Sequence, residues 1–217
     1  DYYVLFSKKA EENKEYEEKA LECLRKWEAN DLKTVALWKK MNKWAFKGFN
    51  ETYKKLGIKF DKEYYESKIY KKGKEIVLQG FKEGIFTKRS DGAVVIDLQK
   101  EGLGEKVLIR PDGTSIYITQ DLYLAKLRNE EYKMDGGIYV VANEQEYHFK
   151  VLFEILRRLQ FKVADKLHHL SYGMVELPEG RMKSRDGTVV DADDLIEQIQ
   201  NMAKDEVSLI EYIRNFL

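Results

Sequence analysis

The stretch Gly136–Asn143, GGIYVVAN, is a continuous apolar run bounded by turn residues. A helical pattern follows from about Glu144 to Gln160, and a second apolar run, HHLSYGMV, covers 168–175. Short apolar runs of this kind are typical of strands buried on both faces of a sheet. The order strand, helix, strand predicts a parallel pair with a right-handed crossover, and ligands of such sheets bind beyond the carboxyl ends of the strands.

Upstream of this unit, the segment Val107–Leu122, VLIRPDGTSIYITQDL, predicts a hairpin that continues into a helix. Pro111 and Gly113 are typical of a tight turn. On the expected return strand, 116–119, successive side chains point to opposite faces. Thr119 is then expected to cap a helix that extends to about residue 132.

This hairpin would place Tyr117 and Asp121 side by side at a strand-to-helix corner. Asp121 would lie in the first helical turn, where the helix dipole favours an ionised carboxylate. A phenol beside a fixed carboxylate suits a planar cation with several N–H donors. The alternative is a core tyrosine beside an ordinary acidic residue, and the spacing alone favours that alternative.

Composition restricts the class of protein. Lys and Arg total 38, as do Asp and Glu, so any basic surface has to be local. One cysteine, Cys23, excludes an internal disulfide, and with three histidines it argues against a zinc site. Charged residues make up 35% of the chain and there are only two prolines, a composition that suits a soluble, helix-rich intracellular protein. No apolar run approaches membrane-spanning length, and no signal peptide is visible. Because the sequence begins DYYVLF without a methionine, we expect it to be part of something longer.

The first half of the sequence is mainly helical in pattern. Charged helices with apolar stripes fill about 8–56, and the three tryptophans there are expected in contacts between helices. Gly57 is expected to end the second helix. A short strand-like piece at 58–61 precedes another helix from about 66 to 81. Beta patterns around 93–98 then suggest a small sheet.

Two polar segments carry candidate chemistry. The loop Gly180–Val190, GRMKSRDGTVV, has cations at alternate positions, which could neutralise charge on transferring phosphates. A solvated basic loop is an equally weighted alternative. After the strand at 136–143, Gln145 offers a donor and an acceptor for an α-amino or α-carboxylate group. His148 could bind ribose or phosphate, although a histidine satisfied by its neighbour is favoured, and Glu66 alone is an ordinary first-turn glutamate.

Together these segments resemble arginyl-tRNA synthetases, which are class I aminoacyl-tRNA synthetases. RMKSRDG at 181–187 is similar to the class I KMSKS signature, and DGTSIYITQDL at 112–122 is similar to the arginine-pocket segment of the family. YVVANEQEYHF at 139–149 resembles a strand and helix of the catalytic fold, and FDKEYYES at 60–67 resembles the pocket-glutamate region. The segments occur in the family's order, and the resemblance covers nearly the whole chain.

The resemblance implies an α/β fold, namely the second half of a Rossmann-like nucleotide-binding domain with a helix-rich inserted connective element. It implies an insertion of helices and a small sheet at 1–106, the catalytic half-fold with its signature loop at 107–190, and a helix leading toward an anticodon-binding domain at 191–217. The HIGH signature is absent from the sequence. The rest of a synthetase chain is therefore an expected partner.

Roles for individual residues also follow from the resemblance. The substrate arginine would be bound by Tyr117, Asp121, Gln145 and Glu66. ATP would be bound by His148, Met182, Lys183 and Ser184, and the catalytic cations would be Arg181, Lys183 and Arg185. Ser184 stands where the signature has its second lysine, so that charge has to come from Lys183, Arg185 or elsewhere. No protein-bound metal is expected, and magnesium would accompany ATP.

The implied reaction is ATP-dependent activation of L-arginine followed by transfer to tRNA(Arg) in the cytoplasm, and the first step would require bound tRNA. A piece that lacks half the ATP site is expected to be inactive by itself. One alternative is a non-catalytic module, derived from a synthetase, that binds an amino acid or tRNA. A third interpretation is an enzyme of the same fold acting on another amino acid, but the paired acidic residues Glu66 and Asp121 argue against an apolar substrate.

Overall fold

The computed structural model describes residues 2–174, 176–177, 180–181 and 190–202. The chain divides into two compact units, which we call the sheet unit, Lys62–Met174, and the helical unit, Asp1–Asp61 with Val175–Leu217. The helices are α1 Tyr2–Glu12, α2 Glu15–Glu28, α3 Leu32–Lys55, α4 Glu66–Lys82, α5 Tyr117–Tyr132, α6 Glu146–Arg158 and α7 Ala192–Met202. The strands are β1 Thr87–Lys88, β2 Val94–Leu98, β3 Gly104–Ile109, β4 Gly137–Ala142, β5 Leu167–Tyr172, β6 Glu176–Leu177 and β7 Gly180–Arg181.

The sheet unit contains two sheets. Strands β1, β2 and β3 form an antiparallel meander. Strands β4 and β5 are parallel and in register from Gly137 opposite Leu167 to Ala142 opposite Tyr172. Helix α6 connects them, so the predicted parallel strand–helix–strand unit is confirmed. The mixed α/β architecture agrees with the expected fold class.

The core of the sheet unit lies between these sheets and helices α4, α5 and α6. Its fully buried members include Val77 of α4, Leu108 of β3, Leu122 of α5, and Leu152 and Ile155 of α6. In α6 the buried positions recur at helical spacing, because one face of the helix covers the sheet and the other is charged. Packing from both sides therefore holds α5 and α6 in place, and these two helices carry most of the described candidate site.

The expected return strand at 116–119 is wrong. After the turn, an isolated bridge joins Ile109 to Ser115, and α5 begins directly at Tyr117. The backbone N–H and the hydroxyl of Thr119 both donate to the carbonyl of Ile116, and Thr119 is fully buried. Burial of Ile118, Leu122 and Ala125 follows helical rather than strand spacing.

Two further expectations about strands are wrong. No strand forms at 58–61, where the ring of Phe60 instead packs edge-on against Tyr53 with centroids 4.9 Å apart. Strands β4 and β5 are not buried on both faces. One face of the pair is exposed. Its four apolar residues are 53–67% exposed: Ile138, Val140, Leu170 and Tyr172. The apolar runs therefore predicted the strands correctly but not what covers them.

The helical unit confirms one tryptophan contact and the end of α3. The rings of Trp27 and Trp38 meet edge-on, with centroids 5.5 Å apart, and so join α2 to α3. Trp44, by contrast, is 56% exposed. Gly57 adopts φ +69° after the last turn of α3, and the N–H of Ile58 bonds back to the carbonyl of Tyr53 at 2.9 Å. This is the left-handed helix ending that favours glycine.

Helix α7 joins the helical unit through Asp193. Its carboxylate accepts hydrogen bonds from Lys55 Nζ at 2.7 Å and from the Thr52 hydroxyl at 3.0 Å. Both contacts lower the pKa of Asp193, and the Lys55 contact is the larger influence. Asp193 and Asp194 both lie in the first turn of α7. Within the residues described, no helix is both long and apolar enough to cross a membrane.

Candidate functional site

Asp121 and His148 come together at the junction of α5 and α6. His148 Nε2 lies 2.7 Å from Asp121 Oδ2. The Asp121 side chain is 37% exposed and the His148 side chain is 24% exposed, so the pair is accessible to solvent. Asp121 is the fifth residue of α5 and lies beyond its first turn, contrary to the sequence prediction.

Tyr117 and Asp121 share one face of α5. They are four residues apart in a helix, which places their side chains as neighbours. Tyr117 is 77% exposed, so its phenol is not part of the core. The two side chains therefore share a helix face instead of meeting at the strand-to-helix corner that the sequence predicted. The interpretation of Tyr117 as a core tyrosine is wrong.

The site sits at the carboxyl end of the parallel pair. Strand β4 ends at Ala142, a single 3-10 turn covers Asn143–Gln145, and α6 begins with Glu146. Gln145 is exposed and lies three residues before His148. Doubly wound sheets bind their ligands at this edge, beyond the carboxyl ends of the strands, so polar side chains here are candidate ligand contacts.

An aromatic layer supports His148 from below. The ring of Phe149 meets His148 at a centroid distance of 5.5 Å and nearly perpendicular planes, and it stacks on His169 of β5 at 4.5 Å. His169 Nε2 lies 2.8 Å from the carbonyl of Val141. These contacts give His169 a structural role.

Two residues that were not predicted from the sequence, Tyr139 and Arg128, also lie near the Asp121–His148 pair. Tyr139, on β4, packs against Phe149, and the Arg128 guanidinium lies 5.6 Å from the Tyr139 ring centroid. Burial raises the pKa of the Tyr139 phenol, the charge of Asp121 acts in the same direction, and Arg128 opposes both. Arg128 follows Asp121 by seven residues on α5, and this spacing was a signal that could have identified it.

Close packing of α4 on α5 fixes the start of α5. A Cβ added at Gly73 would lie 2.0 Å from the carbonyl oxygen of Thr119, so glycine alone permits this approach. The next residue, Lys74, donates from Nζ to the carbonyl of Gly113 at 2.8 Å and so ties the turn that precedes α5 to α4. The position of Asp121 therefore depends on two contacts made by α4.

Glu66 is the first residue of α4 and is exposed. It lies seven residues, or about 10 Å along the helix, from the Gly73 crossing. Near that end of α4, Tyr64 and Lys62 both donate to Glu131 of α5. Burial and the bond to Glu131 raise the pKa of Tyr64 to about 12. A shared pocket for Glu66 and Asp121 stays a prediction.

Most of the predicted signature loop lies outside the described residues. Met182, Lys183, Ser184 and Arg185 fall there, and Arg181 is described by its strand pairing with Glu176. Their assignment to ATP and to catalysis therefore stays a prediction. Among the residues that the structure does describe, no group of three or more His, Cys, Asp or Glu side chains could hold a metal ion.

Comparison with known proteins identifies the family. The model of tRNA synthetases class I (R), catalytic domain, matches residues 1–212. Curated relatives named arginine–tRNA ligase include one from Parabacteroides distasonis, 52% identical over 94% of this chain, and one from Treponema denticola, 55% identical over 94%. The chain spans 37% and 35% of those two relatives, about a third of their length.

Solved structures agree. The arginyl-tRNA synthetase of Plasmodium falciparum matches 94% of this chain and 33% of its own, with a TM-score of 0.68 and 25% identity. The arginyl-tRNA synthetase of Thermus thermophilus matches 96% of this chain and 46% of its own, with a TM-score of 0.61 and 16% identity, which speaks for the fold alone. The α/β fold, the order of the motifs and the family match agree, and the chain belongs to the catalytic-domain family of the arginine-specific class I tRNA synthetases.

Proposed function

We propose that the protein containing this chain is an arginine–tRNA ligase, which activates L-arginine with MgATP and transfers it to tRNA(Arg). The observation that carries this proposal is the half-exposed carboxylate of Asp121, with Tyr117 one turn away, at the carboxyl end of a parallel strand pair. Family membership raises the proposal above other activities of the same fold. The use of aminoacyl-tRNA in translation assigns the reaction to the cytoplasm.

On the arginine side, we assign the guanidinium to Asp121 and Tyr117. An ionised carboxylate can accept two parallel N–H bonds from a guanidinium, which fixes both the charge and the plane of the ligand. A phenol oxygen four residues away can accept a third. Glu66 would add a second carboxylate, and Gln145, exposed at the start of α6, would contact the α-amino or α-carboxylate group.

On the ATP side, we assign His148 to the nucleotide together with Met182, Lys183 and Ser184. Arg181, Lys183 and Arg185 would neutralise charge on the phosphates, and magnesium would reach the site as part of the substrate, held mainly by phosphates and water. The 2.7 Å contact between His148 and Asp121 supports this proposal because it would make the two substrate sites neighbours.

The chemistry needs two steps. An arginine carboxylate oxygen attacks the α-phosphorus of ATP, and the bond to pyrophosphate breaks, which gives arginyl-adenylate. A ribose hydroxyl at the end of tRNA then attacks the arginyl carbonyl and loses its proton, and AMP leaves. The side chains act mainly by positioning the substrates and by stabilising charge.

The test is ATP–pyrophosphate exchange by the longest native polypeptide that contains this chain, with each amino acid in turn, with and without tRNA. We expect exchange with arginine and with no other amino acid, and only when tRNA is present. Exchange with a different amino acid would overturn the arginine assignment. A folded protein that binds tRNA or arginine without any exchange would instead support the non-catalytic module.

A further inference from the structure

Helix α3 concentrates positive charge that the chain as a whole lacks. Its 24 residues include seven lysines and one acidic residue, Glu51, although basic and acidic residues each total 38 in the full sequence. Four of the lysines recur at every seventh position. We call these four the lysine row: Lys33, Lys40, Lys47 and Lys54.

The lysine row follows one side of the helix. Seven residues fall short of two full turns by about 20°, so the row winds only slowly around α3. At 1.5 Å per residue it is about 31 Å long. All four side chains belong to exposed residues. A fifth lysine, Lys43, falls in the same arc of the helical projection.

Little within the described chain neutralises this charge. Lys47 approaches Glu51 at 3.6 Å, and both side chains keep well over half their exposure. No described residue forms an ion pair with the other three lysines of the row. Lys55, which is paired with Asp193, does not belong to it. An extended line of exposed cations is complementary to an equally extended polyanion, since each ammonium can release a condensed counterion from a phosphate.

An aromatic side chain adjoins the row. Trp44 is 56% exposed, and the ammonium of Lys40 lies 5.2 Å from its ring centroid. RNA presents unstacked bases and ribose beside its phosphates, and proteins that bind it combine cations with exposed aromatic rings. The pairing of Trp44 with the row favours RNA over a small anion.

We propose that the lysine row is an RNA-docking surface that contacts the phosphate backbone, with Trp44 against a base or ribose. The identification of the RNA as tRNA rests on the function proposed above. A membrane surface is the competing partner, because an interfacial helix needs an exposed apolar face. Leu37 and Met41 of α3 line a groove of about 510 Å³ together with Leu24 and Trp27 of α2, and both stay about half exposed. The test therefore includes a lipid surface as an outcome that would overturn the proposal.

The test is RNA binding by the full-length native polypeptide, measured by fluorescence anisotropy with a labelled tRNA(Arg) transcript over a range of salt concentrations. The test variant replaces the lysine row with glutamine (K33Q, K40Q, K47Q, K54Q). A matched control removes four exposed lysines of the sheet unit: K82Q, K88Q, K100Q and K162Q. Both variants change the net charge equally, so a general electrostatic effect would appear in both.

We expect the row variant to bind tRNA at least about tenfold more weakly, with the slope of log affinity against log salt reduced by about three. The control variant should retain the affinity and slope of the native protein. Equal tRNA affinity of the two variants would overturn the proposal. A row variant with native tRNA affinity would also overturn it, and is the result expected if the rest of the full-length protein covers the row. A membrane would be the better assignment if native protein bound phosphatidylserine vesicles and the row variant did not, while the row variant still bound tRNA normally. That result would overturn the proposal.

Arginine activation separates this proposal from the function on which it rests. At saturating tRNA, the row variant should recover the native rate of ATP–pyrophosphate exchange, because its defect is in affinity. If neither the native protein nor its variants activate arginine, the proposed function is wrong. The binding measurement then still decides whether the lysine row binds RNA.

Discussion

His148 Nε2 lies 2.7 Å from Asp121 Oδ2, and the two residues are separated by 27 positions in the sequence. Asp121 is the proposed ligand of the guanidinium, and His148 is the proposed ligand of ATP. Because each carboxylate oxygen has two lone pairs, Asp121 can accept the two parallel N–H bonds of a guanidinium while Oδ2 keeps its contact with His148. The contact therefore gives a direct route by which binding of one substrate affects the site of the other.

Replacement of Asp121 by asparagine removes the charge and one acceptor but keeps the shape. We expect kcat/KM for arginine to fall by about ten- to hundredfold, the range for loss of one charged hydrogen-bonded partner, with a smaller change in the KM for ATP. Steady-state exchange at saturating tRNA measures both. D135N, at an exposed aspartate of the sheet unit, is the control. Near-normal use of arginine by D121N would refute the pocket assignment.

Replacement of His148 by asparagine tests the link between the sites. We expect a weaker interaction with ATP and a smaller change in the KM for arginine than D121N causes. Since the side chains are in contact, the double variant should be less impaired than the two single effects combined, with a coupling energy of about 0.5–3 kcal/mol. A double-mutant cycle on kcat/KM measures this. Additive effects would mean that the contact does not matter for activity.

A methyl group at Gly73 should separate α4 from α5. Its Cβ would meet the backbone carbonyl of Thr119 at 2.0 Å, and backbone cannot rotate away as a side chain can. We expect G73A to lower the free energy of unfolding by about 3 kcal/mol, near the upper end for overpacking, and to raise the KM for arginine, because α5 carries Tyr117 and Asp121. Urea unfolding and arginine titration of the full chain check this.

Gly48 provides the matched control for this substitution. It also lies within a helix, but a Cβ there would have nothing within 4 Å. Alanine should therefore be neutral or add up to about 1 kcal/mol, through its higher helix propensity. If G73A proved as stable as G48A, the close approach of the two helices would be wrong.

Much of the fold could be predicted because each element has its own periodicity. The apolar runs at 136–143 and 168–175 identified β4 and β5, and helical spacing identified α4 and α6. At 116–119 the alternation of two isoleucines with Tyr117 and Thr119 suited a strand. Those four residues are too few to decide, and burial of Leu122 and Ala125 on the same side shows that the helix had already begun.

The site was harder to predict because periodicity says which face of an element a residue occupies, but not how two elements meet. The sequence paired Tyr117 with Asp121, which share α5. It did not predict that His148 would bind Asp121, since that depends on the packing of α6 on α5 around buried side chains such as Leu152. The exposed face of β4 and β5 was missed for a related reason. An apolar run indicates that a face seeks cover and does not identify what provides it.

The turn between β1 and β2 should make stability depend on acidic pH. The Arg89 guanidinium binds both oxygens of Asp91, and the N–H of Ala93 donates to the same carboxylate at 3.0 Å. These contacts, Arg89 first, lower the pKa of Asp91 to about 2 from an ordinary value near 3.8. Because the folded state has the lower pKa, the stabilisation is fully present above pH 4 and is lost as the pH falls toward 2.

D91N should therefore be less stable than native protein at pH 7, and the difference should shrink between pH 4 and pH 2. Denaturant unfolding across that range measures it, with D135N as the control, and a difference independent of pH would contradict the role of the Arg89 contact.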